Sequence, residues 1–358
     1  MRLLKGLLPA GAKFLAAVKA NAYGHGILEV ARLIEPDVDF FGVHSAWEAQ
    51  TLLQAGLDKP LLILGPVFPH QLKYLNPARV HLTVVSRELL EYLRDNGFSF
   101  PLHLKVETGT NRQGLPADEV PEVVRRIRKY GLPLVGLSTH FANIEDTTDH
   151  SYALMQMKRF GEVRKLVEGE TGPLPFLHCA CSAAILLFPD AHFTLARAGI
   201  SLYGYWPSKE TKLSWLQLHG RGEVALRPVL AWKTLVSQVK RVQKGEYIGY
   251  GCTFRTTRDS RIAVLPIGYY DGYDRKLSNR GMALIRGQRV PVVGRVCMNL
   301  LMLDVTDLPD AAVGDEAVLI GRDGDEEVSA DTLAEVAGSI NYEILSRLGA
   351  HVPKILVP

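Results

Sequence analysis

Eight short apolar, β-rich runs alternate with helix-patterned segments through about the first two hundred residues, and this alternation restricts the fold more than any other feature of the chain. The runs span 14–18, 40–43, 61–64, 80–84, 102–106, 134–138, 176–179 and 195–198, and helical patterns lie between them at 46–55, 86–96, 118–129 and 150–170. A strand followed by a helix, repeated eight times, predicts a (β/α)8 barrel. An open doubly wound sheet uses the same alternation. Its dinucleotide-binding form wants G-x-G-x-x-G after an early strand, whereas here the first run leads into Lys19, so the barrel is favoured.

The texture changes after Gly204. Stretches 230–242, 262–266, 283–286, 290–296, 301–305 and 317–320 are β-rich and separated by turn residues, and Arg286-Gly287-Gln288-Arg289 reads as a tight hairpin. Helix returns at 330–337, with Ser329 as N-cap, and at 342–348. The expected architecture is α/β: an N-terminal (β/α)8 barrel over residues 1–223, then a mostly antiparallel β domain over 224–358. The boundary is expected in an irregular stretch, 206–223.

A length of 358 residues suits two domains, and 47% hydrophobic against 22% charged residues supplies their cores. The net charge is only +3 and the basic residues are dispersed, which argues against a nucleic-acid or membrane-surface partner. Four cysteines do not make a disulfide framework. His178-Cys179-Ala180-Cys181 has no second pair at zinc spacing, so no metal is expected. Lys5 and Lys13 interrupt the apolar N-terminal run that a signal peptide needs, and no stretch approaches the ~20 apolar residues of a membrane span. The expected location is the cytoplasm.

Function in such a barrel sits at the C-terminal strand ends. Those ends here carry Lys19, His44, Lys105 with Arg112 beyond it, His140, Ser182, and Arg197 with Gly199. Cations, imidazoles and a hydroxyl around one rim suit an anionic, oxygen-rich ligand, and Ser182 with the amides of Gly199 and Ile200 suits a phosphate. A desolvated lysine flanked by positive charge has a lowered pKa and can condense with an aldehyde; a lysine that merely snorkels to the rim reads the same on spacing alone. A phosphate site opposite Lys19 favours the first, because pyridoxal phosphate needs both.

These residues resemble the alanine racemase family, in several separate blocks in order from about residue 2 to the C-terminus. Val18-Lys19-Ala20-Asn21-Ala22-Tyr23-Gly24-His25-Gly26 resembles the cofactor-lysine motif. The resemblance implies pyridoxal 5'-phosphate held as a Schiff base by Lys19, with Tyr23 at its phosphate. The block His103–Gly109 and Arg112 imply a substrate-site lysine, Lys105, carbamylated in many members, and a substrate-binding arginine. Thr139-His140-Phe141-Ala142 implies an imidazole near the cofactor ring. Ser182, Gly199 and Ile200 match phosphate contacts, and Arg197 matches the partner of the pyridine nitrogen. In the second domain, Gly249-Tyr250-Gly251 implies that Tyr250 is the second catalytic base. The blocks around Gly268-Tyr269-Tyr270-Asp271-Gly272 and Gly294–Met298 imply that Met298 lines the substrate site, and Ile340-Asn341-Tyr342-Glu343 places Tyr342 at the phosphate.

By this resemblance Lys19 works on the D face of alanine and Tyr250 on the L face, in a homodimer whose active sites are shared between subunits, and the D-alanine made serves peptidoglycan. Amine and phenol ordinarily titrate near 10, and cations such as Arg112 and Arg197 are expected to push them down. Glu107, Cys181, Tyr270 and Asn299 depart from the family's commonest residues, which exposes substrate breadth above all. The strand that in the family usually precedes the first helix is not found before Met1; the expected reason is a misassigned start, ahead of truncation or loss of that strand, and it bears on stability and dimerisation more than on chemistry. A serine or broad-specificity racemase of the same fold is the alternative. From another class, a non-catalytic pyridoxal-phosphate carrier uses a similar barrel but lacks a β domain.

Overall fold

The computed structural model describes residues 1–220 and 226–357. Lys13–Ala17 (β1), Phe40–Val43 (β2), Leu61–Ile63 (β3), Val80–Val84 (β4), Leu102–Lys105 (β5), Leu134–Ser138 (β6), Phe176–His178 (β7) and Leu195–Ala198 (β8) form one parallel sheet. Its order is β7-β6-β5-β4-β3-β2-β1-β8. Thr194 N donates to Leu177 O (3.2 Å) and Arg197 N to Ala180 O (3.1 Å), which joins the two outer strands and closes the barrel. The strands are nearly all buried, as continuous apolar runs in a sheet covered on both faces must be.

Seven of the eight β-to-α steps are α-helical or carry an α-helix further on, and the step after β3 is the exception. Pro69–Tyr74 there is only a 3-10 turn. Helix Lys209–His219 corrects the expectation of an irregular stretch at 206–223. Ser208 caps it, its hydroxyl accepting from Thr211 N. The expected boundary at 223/224 lies outside the described residues.

The chain divides into two compact units, one of Met1–Ala22 with Ile27–Pro228 and one of Tyr23–Gly26 with Val229–Pro358. Tyr23–Gly26 therefore packs with the second unit, although the sequence reading placed it in the barrel domain. Gly24 shows why: its φ is +82°, and a Cβ there would fall 1.9 Å from Leu345 O. Only glycine permits that approach.

The second unit holds antiparallel sheets. Gln238–Val242, Ser260–Leu265 and Leu301–Asp304 form one, and Met282–Ile285 pairs with Gln288–Pro291 and Glu316–Asp323 in another. The expected hairpin is a two-residue turn with Arg286 (φ 50°) and Gly287 (φ 72°) both left-handed, as a type I′ turn requires. The run expected at 230–242 is two strands, Trp232–Leu235 and Gln238–Val242. That expected at 290–296 ends as a strand at Pro291 and goes on only as an isolated bridge of Val292 to Leu303.

Candidate active site

Lys19 stands at the mouth of β1 and begins a turn of the wrong hand. Ala20, Asn21, Ala22 and Tyr23 all have φ of 53–54°, a left-handed helical turn without a glycine. Each such L-residue costs roughly 1–2 kcal/mol, so the surroundings must hold the turn in place. Glu48 supplies much of that hold. Its Oε1 accepts from Ala20 N at 2.7 Å, while its Oε2 accepts from His44 N at 2.6 Å and Ser45 N at 3.3 Å. Asn21 Oδ1 accepts from Ile27 N at 2.9 Å. The turn thus starts a segment whose geometry is fixed by side chains the motif alone does not reveal.

Burial lowers the pKa of Lys19, and the Arg112 charge lowers it further, while Glu48 opposes them. Lys105 is pushed down to about 8, by burial first and then by Arg197, Arg112 and Lys19, with Glu107 acting against them. His140 is held well below the ordinary imidazole value by burial and by Arg197, Arg112, Lys105 and Lys19. These mutual influences gather five of the residues expected at the site around one end of the barrel. Of the two cations expected to depress Lys19, Arg112 does so, with burial the larger cause, and Arg197 is not among the causes.

Arg112 is exposed at the head of a loop organised by Glu107. That carboxylate accepts from Gly109 N (2.6 Å), Thr110 N (2.5 Å) and Arg112 N (3.4 Å), which keeps it well ionised. The fully buried Gln156 ties this loop to the next. Its Nε2 donates to Thr108 Oγ1 and His140 O, both at 3.1 Å, and its Oε1 accepts from Ala142 N at 2.8 Å.

Arg197 is buried without a carboxylate. Its NH1 donates to His178 Nδ1 (2.7 Å) and His178 O (2.8 Å), and its NH2 to Thr139 O (2.9 Å), Cys179 O (3.0 Å) and His140 Nδ1 (3.2 Å). Among the described residues nothing accepts from its Nε–H. Such a donor, held still in the barrel mouth, fits a ring-nitrogen acceptor.

The other end of such a ligand also fits. Ser182 Oγ accepts from Gly199 N (2.9 Å) and Ser201 N (3.3 Å), leaving its own proton to donate outward. Ser201 Oγ is buried with no partner, and the N–H of Ile200, first in the turn Ile200–Tyr203, has no acceptor within it. Two hydroxyls and an amide that want an acceptor suit a phosphate, and together with Lys19 and Arg197 they fit pyridoxal phosphate. Ser201, Glu48, Gln156 and His178 were not among the expected site residues; only Glu48, the third residue after the N-cap Ser45 in the capping-box pattern Ser45-Ala46-Trp47-Glu48, carried a local signal.

In the second unit, Tyr250 lies on the turn Tyr250–Cys252 between the paired strands Tyr247–Ile248 and Phe254–Arg255, with 73% of its surface exposed. A Cβ on Gly251 would fall 2.8 Å from the Arg295 guanidinium, so this turn lies against the 294–300 loop. Tyr269 N to Cys297 O and Tyr270 N to Met298 O, both 3.0 Å, join the 268–272 loop to the same surface. Met298 is exposed there. Tyr23 and Tyr342, the two tyrosines expected at a phosphate, are brought together in this unit with ring centroids 6.1 Å apart.

A barrel with a desolvated lysine just past its first strand, joined to an antiparallel β domain bearing an exposed tyrosine, defines the class of pyridoxal-phosphate-dependent isomerases. Residues 1–207 match the alanine racemase N-terminal domain, and residues 229–356 the alanine racemase C-terminal domain. The chain belongs to the alanine racemase family. It is 38% identical over 356 residues to the alanine racemase of Leptospira interrogans, covering 99% of this chain and 91% of that one. It is 40% identical over 354 residues to that of Carboxydothermus hydrogenoformans, covering 97% and 93%. Among solved structures, alanine racemase from Bacillus anthracis with bound L-Ala-P superposes with a TM-score of 0.88 at 33% identity, covering 97% of this chain and 89% of that one. Alanine racemase from E. faecalis gives 0.88 at 32%, covering 97% and 92%. Among the described residues no helix is long and apolar enough to cross a membrane, and no cluster of side chains would hold a metal.

Proposed function

We propose that the chain interconverts L- and D-alanine by a two-base mechanism and so supplies D-alanine for peptidoglycan. The observation that carries this reading is Lys19, desolvated at the head of a braced left-handed turn and grouped with Lys105, Arg112, His140 and Arg197. Pyridoxal phosphate supplies, when bound, the electron sink that makes the α-proton of an amino acid removable. Lys19 Nζ takes or returns that proton on the D face and Tyr250 Oη on the L face, so removal on one side and return on the other inverts the centre. Arg112 binds the substrate carboxylate, with Lys105 beside it; the assignment of Met298 to a substrate site rests on its motif match. Arg197 would hold the ring nitrogen of the cofactor through its Nε–H and would keep it unprotonated, because a guanidinium does not give up its proton. Ser182, Gly199 and Ile200 would hold the phosphate, and His140 would stand near the ring. The assignment of Tyr23 and Tyr342 to the phosphate rests on their motif matches.

Tyr250 is 73% exposed, and Tyr269, Tyr270, Met298 and Leu300 are exposed on the adjoining loops. An apolar face of this kind in water is one that a second copy covers. We therefore infer a homodimer in which each Tyr250 completes the site of the other subunit. A domain boundary near residue 228 and a location in the cytoplasm belong to the same reading, and cell fractionation checks the latter. A pyridoxal-phosphate carrier leaves the second domain without a purpose. The test mixes a Lys19→Ala chain with a Tyr250→Phe chain: recovered loss of ellipticity on L-alanine supports shared sites, and none refutes them. The same assay on L-serine separates an alanine enzyme from one of broad specificity.

A further inference from the structure

Behind Arg197 a line of imidazoles runs down the inside of the barrel. Arg197 NH1 meets His178 Nδ1 at 2.7 Å, His178 Nε2 meets His103 Nδ1 at 2.8 Å, and His103 Nε2 meets His81 Nδ1 at 2.9 Å. His178 and His103 are fully buried and His81 is half-buried. The rings are held by aromatic walls. Phe176 stacks on His103 with centroids 5.5 Å apart and planes 17° from parallel, and Phe40 meets His81 edge-on at 5.1 Å. On β6, Gly136 leaves room for the second ring, since a Cβ there would fall 2.3 Å from His103 Nδ1.

The direction of every bond in this line follows from its first member. A guanidinium only donates, so His178 Nδ1 accepts and carries no proton. Burial keeps His178 and His103 well below the ordinary imidazole value and pushes His81 down to about 4, so all three are neutral and each has one proton. For His178 that proton must be on Nε2, which donates to His103 Nδ1; His103 then carries its proton on Nε2 and donates to His81 Nδ1. A row of imidazoles usually suggests proton conduction. Here the row ends on a group that does not deprotonate, so it passes no proton to the site.

We propose that His178, His103 and His81 are positioning residues that form a one-way hydrogen-bond chain, each a neutral Nε2–H imidazole, which fixes Arg197 and solvates its charge without neutralising it. A carboxylate in the same place would cancel that charge. Imidazole lone pairs aligned on the guanidinium stabilise it and leave its Nε–H for the ligand. The purpose of the chain rests on Arg197 as the ring-nitrogen partner; the tautomers do not.

The test is 15N NMR of the histidine-labelled full chain, with and without pyridoxal phosphate, assigned through single substitutions. Bare Nδ1 and protonated Nε2 on all three rings is the expected result; a protonated Nδ1 on His178 or His103, or an imidazolium at neutral pH, overturns the proposal. Two variants test the consequence. His103→Leu removes the acceptor of His178 Nε2–H, and should mix the His178 tautomers and lower kcat roughly tenfold with little change in KM. His103→Asn offers Oδ1 in the place of Nδ1, and should keep the His178 tautomer and most of kcat. Equal losses in both variants with the His178 tautomer unchanged would make the role purely structural and overturn the proposal. If the cofactor proved to be bound elsewhere than at Lys19, the functional reading would fail while the NMR pattern stood.

Discussion

Replacing Ala20 with glycine should make the protein more stable and less active. Ala20 is exposed, so its methyl group packs against little, yet it is held at φ 53°, ψ 50°. Relieving one left-handed L-residue returns roughly 1–2 kcal/mol. The added freedom of glycine in the unfolded chain takes back about 0.4–1 kcal/mol. The net gain is about 1 kcal/mol, and for a unit of this size that is a rise of roughly 2–4 °C in melting temperature. The Ala20 N–H to Glu48 contact survives, because it is a backbone bond. What is lost is stiffness next to Lys19, and since small misplacements of a reacting group are costly, kcat should fall about three- to tenfold. Calorimetry and the coupled assay for D-alanine read both effects. A melting temperature lowered by the substitution, or a kcat left unchanged, would refute the idea that this turn is strained in order to aim Lys19.

Gln156→Leu should lower the melting temperature by roughly 4–16 °C, because the Ala142 N–H loses its acceptor and two further groups lose a partner, for about 2–4 kcal/mol in all; a shift below 2 °C in a thermal melt would contradict this. Lys105, pushed down to about 8, should react with an acylating reagent at half its limiting rate near pH 8 rather than near the ordinary lysine value, as peptide mapping across pH would show. Its folded pKa lies below its unfolded one, so the unfolded chain binds the extra proton between the two, and stability should rise as pH rises from about 8 toward the unfolded value. Ser182→Ala removes the acceptor of Gly199 N and Ser201 N and should weaken pyridoxal-phosphate binding on the order of tenfold in a fluorescence titration. Arg197→Glu should raise the fraction of turnovers lost to transamination; an unchanged ratio of racemisation to pyruvate formation would count against the role given to that guanidinium.

The barrel was legible because its strands are parallel and buried on both faces, so Phe40–Val43, Val80–Val84, Leu134–Ser138 and Leu195–Ala198 read as short, mainly apolar runs with the observed limits. Lys19, Lys105, Arg112, His140, Ser182 and Arg197 were legible because each lies at or just past such a run. The left-handed turn was not, since of Ala-Asn-Ala-Tyr only Asn21 tolerates positive φ readily, and then as a single residue; Glu48, a remote side chain, helps impose it on all four. Helix Lys209–His219 had a readable cap in Ser208, but its weak apolar periodicity let it pass as irregular. His103 and Gln156 look like ordinary interior positions of a strand and a helix, and only their neighbours in space reveal what they bond. The second unit was legible in its strands but not in its membership, because the packing of Gly24 on Leu345 joins residues far apart in the chain.

The account stands on Lys19 as the residue that anchors the cofactor, and that can be read directly. Borohydride reduction of the protein with pyridoxal phosphate, followed by digestion and mass spectrometry, fixes the lysine–cofactor linkage as a stable amine. The predicted result is a single pyridoxyl-phosphate mark on the peptide that contains Lys19, with loss of racemisation. A mark on Lys105 or another lysine in place of Lys19, or no mark in an active enzyme, would contradict it.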